Sequence, residues 1–173
     1  MTLLSKSTDA LRLIAIDVTE FLPYRLFTEL RRQMYRLAGA RIGRAACLYG
    51  RQTVAYPERL SIGERAFINA GCLFENEGLV SVGKRTYVGP RVSFLTTNHD
   101  ALTMANAPSP IRVGDDCWIG GNATLLPGCD LANGTIVAAG TVMLGRPHAR
   151  GLYAGVPGRF KRETPARGGP ETL

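Results

Sequence analysis

The chain has 173 residues, 45% of them hydrophobic, and a formal net charge of +7. That is enough apolar material for one domain with a core of its own, and despite 20 glycines it excludes a disordered chain. No window approaches the ~18 uncharged apolar residues of a membrane span, and the four cysteines form no CxxC pair, the usage of a reduced, cytoplasmic protein.

The charge is unevenly spread. Residues 1–51 hold nine basic and four acidic residues, residues 52–145 six and eight, and residues 146–173 six and two. Basic ends suit an anionic surface or a phosphorylated small molecule. Nucleic acid is disfavoured, because no Arg/Lys stripe is interleaved with aromatics. The start (MTLLSKSTDALRLIAIDVTEFL) does not read as a signal peptide, since acids interrupt its apolar run and no cleavage pattern follows.

Residues 8–38 read as helical, with Leu11, Ile14, Ala15 and Val18 on one face and Leu26, Leu30, Met34 and Leu37 on a second stretch. Pro23 divides the two helices, the second starting near it, and Gly39 is the stop. Arg25, Arg31, Arg32 and Arg36 decorate the second helix as a solvated basic face on a helix packed against the remainder. A peripheral contact with the inner membrane surface through these basic helices is the sharper alternative.

A six-residue period follows. Ile62 opens IGERAF and Ile68 INAGCL; Val82 opens VGKRTY and Val88 VGPRVS; Val113 opens VGDDCW and Ile119 IGGNAT. The phase continues at Leu125, Leu131 and Val137, with a weaker earlier set at Ile42 and Leu48. Six residues make one short strand and a turn, the aliphatic residue points inward, and the following Gly suits a tight corner. Four positions on sits a small inward residue: Ala66, Cys72, Thr86, Val92, Cys117, Ala123, Cys129, Thr135 and Thr141. Three such units close a triangular coil, and stacked coils pair as parallel strands. Three cysteines are thereby explained as small core residues. Residues 95–112 break the phase and read as a loop thrown out from the coil, with His99 at its start. Beyond Val142 the Pro- and Gly-rich tail is expected to leave the coil and become disordered near its end, and His148 within it to be exposed and non-catalytic.

This repeat resembles that of the hexapeptide-repeat acyltransferases, and is most similar to the sugar O-acetyltransferases of the galactoside, maltose and nodulation type. The resemblance spans residues 40–160. It implies a left-handed parallel β-helix, divided here into an N-terminal helical segment (1–39), a β-helix acyltransferase domain (40–145) and a tail (146–173) contributing to coenzyme A binding. It further implies a homotrimer with active sites between subunits, and acetyl-coenzyme A as donor substrate.

The same resemblance assigns residues. TTNHD looks like the segment carrying the family's catalytic base, which makes His99 that base; a histidine can take the acceptor's proton and return it to the leaving thiolate. FINAGCLFENE resembles the acceptor-binding stretch, pointing to Asn69 and Glu77, with Glu75 close by. GGNAT and AAGTV resemble the pantetheine-contacting segments, pointing to Gly121 and Ala139; Trp118 resembles the tryptophan of a WIG motif; and AGVPGRFKR resembles the exit motif whose Arg159 and Arg162 lie near the adenosine phosphates. No metal is expected, since two histidines cannot supply the three-histidine zinc site of carbonic-anhydrase-like β-helices. The expected reaction is acetyl transfer to a hydroxyl of a saccharide or glycosylated metabolite. N-acylation of an amino sugar or other amine is the alternative within the class, and a non-catalytic scaffold binding a membrane or partner the alternative outside it.

Overall fold

The computed structural model describes residues 27–147 and 150–165 and, before them, Ile14, Val18, Leu22 and Pro23. Ile14 and Val18 are helical; the rest of the first expected helix, Arg25, His148 and the end of the tail lie outside the described residues. Helix α1 (Thr28–Leu37) leads into three-strand coils. The first is β1 (Arg41–Ile42), β2 (Cys47–Leu48) and β3 (Thr53–Val54); the second β4 (Leu60–Ile62), β5 (Phe67–Ile68) and β6 (Leu73–Glu75); the third β7 (Val80–Val82), β8 (Tyr87–Val88) and β9 (Ser93–Leu95). The hairpin β10 (Thr97–His99) and β11 (Asn106–Pro108) interrupts them. The fourth coil is β12 (Ile111–Val113), β13 (Trp118–Ile119) and β14 (Thr124–Leu125), and the fifth β15 (Asp130–Leu131), β16 (Ile136–Val137) and β17 (Val142–Met143), before β18 (Leu152–Ala154) and β19 (Arg159–Arg162).

These strands form three parallel faces. The first is β1-β4-β7-β12-β15; the second runs β2-β5-β8-β13-β16-β18, edged by antiparallel β19; the third is β3-β6-β9-β14-β17. The architecture is the expected left-handed parallel β-helix. Every phased aliphatic position from Ile42 to Val137 is buried, as are the nine small positions. Phe74 and Phe94 add an inward ring stack on the third face, centroids 4.6 Å apart and near parallel at 6°.

The glycine after each aliphatic residue has a different role from the one its sequence position suggests. Gly43, Gly63, Gly83, Gly114 and Gly120 are not at positive φ. They are small because the next coil lies on them: a Cβ on Gly83 would sit 2.4 Å from the carbonyl carbon and oxygen of Gly114, and one on Gly120 2.4 Å from the Ala139 nitrogen. The left-handed residue falls two positions later, at Ala45, Arg51, Arg65, Gly71, Arg85, Arg91, Asp116, Asn122, Gly128, Gly134 and Gly140. There the turned backbone sends one N–H back to the preceding coil, as from Arg85 to the Glu64 carbonyl at 2.9 Å.

Two expectations for the ends are corrected. Helix α1 starts at Thr28, five residues beyond Pro23, and turns its arginines inward while Leu30 and Leu37 are exposed. The reason is electrostatic. In a parallel ladder alternate residues pair with the coil before and the coil after, so the groups of the first coil that face away from the second, the Ile42 carbonyl among them, have no coil to pair with, and buried carbonyls need donors. Arg36 donates to the Ile42 and Gly43 carbonyls at 2.7–3.2 Å, Arg32 to the Ala46 carbonyl at 3.2 Å, and fully buried Arg31 to the Leu22 carbonyl at 2.5 Å. These three are therefore neither a solvated basic face nor a membrane-facing one. No helix among the described residues is long and apolar enough to cross a membrane. The tail, in turn, does not leave at once: β18 continues the second face, taking the Ile136 and Ala138 N–H groups on the Gly151 and Tyr153 carbonyls at 2.9 Å.

Gly83→Ala is therefore expected to destabilise the fold by about 1–3 kcal/mol or more, as overpacking against a backbone that cannot yield. Gly140→Ala, at φ +68° with nothing within 4 Å of the added methyl, should cost only about 1 kcal/mol of left-handed strain. Chemical denaturation of the two variants checks the order; equal losses would mean that coil contact does not select the glycine.

Candidate active site

The chain leaves the third coil at Leu95, passes through buried Thr96 and forms a β-hairpin where a plain loop is expected. Thr97 pairs with Pro108, Asn98 with Ala107 and His99 with Asn106. Asp100 closes the tip by accepting from the backbone of Leu102 (3.0 Å) and Thr103 (2.8 Å) and from the Thr103 hydroxyl (2.9 Å). These bonds, the Thr103 backbone first, hold its carboxyl below the usual range. Met104, left-handed at φ 55°, aims its carbonyl at His99 Nδ1, 3.3 Å away. A carbonyl only accepts, so in the neutral ring Nδ1 carries the proton and Nε2 keeps its lone pair. His99 is exposed, and so are its neighbours Leu102 and Met104.

Two glutamates hold the hairpin's base. Glu75, ending β6, accepts from the Thr96 and Thr97 N–H groups at 3.0 and 3.3 Å and from the Thr97 hydroxyl at 2.6 Å. Glu77 accepts from Asn106 Nδ2 at 3.2 and 3.1 Å, and its backbone carbonyl takes a bond from Arg59. These residues share the corner between the third and first faces with His99's hairpin.

Asn69 lies elsewhere, at the corner after β5. Its amide oxygen accepts from the Ala70 N–H at 2.8 Å and its nitrogen donates to the Tyr87 hydroxyl at 3.2 Å. Tyr87 and Trp118 are register partners on the outer side of the second face, and Trp118 is 45% exposed. Together with Gly121, Ala138, Ala139 and Leu152 they border an apolar groove of about 420 Å³. Gly121 keeps it open against Pro90, which an added Cβ would meet at 3.2 Å. Farther along the stack a second hollow of about 370 Å³ is lined by Met143, Arg146, Tyr153, Arg159 and Phe160. Arg146 Nε is 3.5 Å from the Asp130 carboxylate.

The structure thus gathers Trp118, Gly121 and Ala139 in one groove with Arg159 in the hollow beyond; exposed Arg162, on the outer strand β19, does not line that hollow. It gathers Glu75 and Glu77 beneath the hairpin of His99, and puts Asn69 on the groove side. Sequence reading passes over Tyr87, although it stands one place before the phased Val88 just as Trp118 stands before Ile119. It also passes over Thr97, Met104 and Asn106, whose roles depend on cross-strand pairing that no local pattern announces.

Residues 110–145 match the family profile described as "Bacterial transferase hexapeptide (six repeats)". The chain is similar to nodulation protein L of Rhizobium meliloti (36% identity, 42% of this chain, 43% of that one). It is also similar to galactoside O-acetyltransferase of Escherichia coli (23%, 78% and 69%). Matched stretches span about half the length of most of the curated relatives. Among solved structures, the fold resembles a hexapeptide-repeat acetyltransferase from Vibrio cholerae complexed with acetyl-coenzyme A, at TM-score 0.80 and 24% identity over 89% of this chain and 87% of that one. These findings bear out the resemblance read from the repeat.

The three core cysteines offer no nucleophile. Burial pushes the thiols of Cys72 and Cys129 up to about 12 and that of Cys117 to about 11, well above neutrality, where only a thiolate attacks. Among the described residues no three His, Cys, Asp or Glu side chains group as metal ligands. Ellman's reagent at neutral pH should therefore find at most one reactive thiol in the folded chain, half-buried Cys47, and all four after unfolding. Two or more fast thiols in the folded state would contradict this packing.

Proposed function

We propose that the chain transfers the acetyl group of acetyl-coenzyme A to a hydroxyl of a saccharide or glycosylated metabolite, with His99 as general base. The observation that carries this reading is the contact at Nδ1: the Met104 carbonyl lies 3.3 Å away and can only accept, so Nδ1–H donates to it and the Nε2 of this exposed residue is free to accept a proton. Nε2 removes the acceptor's proton as its oxygen attacks the thioester carbonyl, and the imidazolium returns that proton to the departing thiolate. Backbone N–H groups stabilise the tetrahedral oxyanion.

The groove of Trp118, Gly121 and Ala139 suits a pantetheine arm, which needs apolar walls and close backbone approach. Arg159, Arg162 and Arg146 supply cations for the adenosine phosphates, so the segment from residue 146 contributes to donor binding. Asn69, on the groove side, and Glu77, beneath the hairpin, present amide and carboxylate groups to a polyhydroxylated acceptor; Glu75 lies beside Glu77. Groove and base sit at different corners of one prism. That separation supports a homotrimer in which one subunit's His99 serves a neighbour's groove. The half-buried outward ladder of Phe67, Tyr87, Ile136 and Leu152 offers apolar surface for such packing. The acetyltransferase relatives and the acetyl-coenzyme A complex of a fold neighbour favour the donor chemistry.

His99→Ala should lower kcat by roughly 10²–10⁴-fold on the best hydroxyl acceptor and leave acetyl-coenzyme A binding intact; full retained activity would overturn the mechanism. A parallel panel of amines separates O- from N-transfer. Binding is read from the single tryptophan, Trp118, whose fluorescence should respond to acetyl-coenzyme A, and from a thermal shift. Arg159→Ala should raise the dissociation constant about tenfold. No fluorescence response and no thermal shift at saturating donor would favour a non-catalytic scaffold.

A further inference from the structure

Glu75 stands apart from the other acidic groups near His99, because its carboxylate is already engaged by the segment that carries the base. One oxygen accepts the Thr96 and Thr97 N–H groups at 3.0 and 3.3 Å, and the other the Thr97 hydroxyl at 2.6 Å. A carboxylate has about four lone-pair sites, so little of it is left for an acceptor. Its backbone carbonyl accepts again from Thr96, through N–H at 3.1 Å and hydroxyl at 2.9 Å, and the Thr96 oxygen receives the Gly78 N–H at 2.9 Å.

Register turns this anchorage into aim. Side chains two apart on a strand share a face, and directly opposed residues of an antiparallel pair do too. Thr97, His99 and the opposed Asn106 therefore point to one side, the side on which Thr97 meets Glu75 and Asn106 meets Glu77. A slip of one residue in β10 would turn His99 to the opposite face. The exit from the third coil is where such a slip has to be prevented, and Glu75 binds both residues there.

We infer that Glu75 is a positioning residue, which fixes the register of β10 and so the direction of His99, and does not bind the acceptor. This rests on His99 being the base. The geometry also makes the charge of Glu75 dispensable. In Glu75→Gln the amide oxygen can keep both N–H bonds while its NH₂ donates to the Thr97 hydroxyl, whose own proton then goes to Glu77, 3.1 Å away.

The test compares Glu75→Gln, Glu75→Ala and Thr97→Val in the full chain by steady-state kinetics, together with hydrogen exchange of the amides of residues 96–108. Glu75→Ala should lower kcat by roughly tenfold to a hundredfold, the scale of a small misplacement of a reacting group, with acceptor KM within about twofold and faster exchange across the hairpin. Thr97→Val should move in the same direction, and Glu75→Gln should restore both readouts. A rise in acceptor KM in both Gln and Ala variants would overturn the inference in favour of an acceptor-binding carboxylate, as would unchanged kcat in Glu75→Ala. If the wild-type chain transfers no acetyl group, the proposed reaction falls. Exchange still decides the role of Glu75 in that case, since hairpin amides equally protected in Glu75→Ala would show that it holds nothing. Should Glu75→Ala fail to fold, Glu75→Gln and Thr97→Val carry the same comparison.

Discussion

In a parallel stack alternate residues of a strand pair with the coil before and the coil after, so the outer edges of the first and last coils are left without a partner coil. The chain answers each end differently. Arg32 and Arg36 of α1 bring guanidinium groups to the Ile42, Gly43 and Ala46 carbonyls, a fork of N–H donors suited to several acceptors at once. Strand β18 brings the carbonyls of Gly151 and Tyr153. Two basic regions that look alike in composition therefore do opposite work. Arg32 and Arg36 before the repeat are engaged in closing the stack, while Arg146 and Arg159 after it line an open hollow.

Between those ends, coil spacing decides which positions are available for chemistry. Gly43, Gly63, Gly83, Gly114 and Gly120 lie where a Cβ would strike the backbone of the next coil, and inward positions hold aliphatic or small residues. What remains is the outward residue of each strand and the corners. The second face uses its outward residues for Tyr87 and Trp118, with the groove opening where the corner residues Gly121 and Ala139 are smallest. The corner between the third and first faces is where the chain departs, at Thr96, and rejoins at Ile111. Its N–H groups there are satisfied by Glu75 and by the Leu79 carbonyl, which accepts from Ile111 at 2.9 Å. A loop can leave a parallel stack only if both exit and return are hydrogen bonded, so the hairpin is placed where the scaffold spends side chains on anchoring it.

The repeat from Ile42 to Val137 was legible because burial on three faces imposes a strict six-residue phase, and each phased residue is buried as its position requires. The outward direction of Trp118 followed from the same phase. What the phase does not encode was read less well. Amphipathic periodicity puts Leu30 and Leu37 of α1 inside, whereas carbonyls of the first coil draw Arg32 and Arg36 in instead, and Arg31 is buried against the Leu22 carbonyl. The glycine after each aliphatic residue was identified by type, but for the wrong cause, since the contact that demands it lies 18 to 31 residues away in the next coil. The hairpin of residues 97–108 has no alternation to mark it, and its cross-strand partners, Asn106 and the Met104 carbonyl, exist only once the strands pair.

This division sets the groove apart from the hairpin. The groove is bounded by repeat positions, whose neighbours are determined by coil stacking; Tyr87 and Trp118 must be adjacent because Val88 and Ile119 are. The surroundings of His99 are Glu77, Asn106 and the exposed tip residues Leu102 and Met104, which stack on nothing that the repeat fixes. The proposed proton transfer would need only that His99 be aimed and correctly tautomeric, conditions that one hairpin and its glutamate anchors can meet. Selecting the molecule that loses the proton requires walls on every side of Nε2, and one chain supplies them on one corner alone. On the proposed reading, acceptor choice would therefore be a property of hairpin length, tip side chains and the surface that meets them, free to change while the coil beneath stays the same.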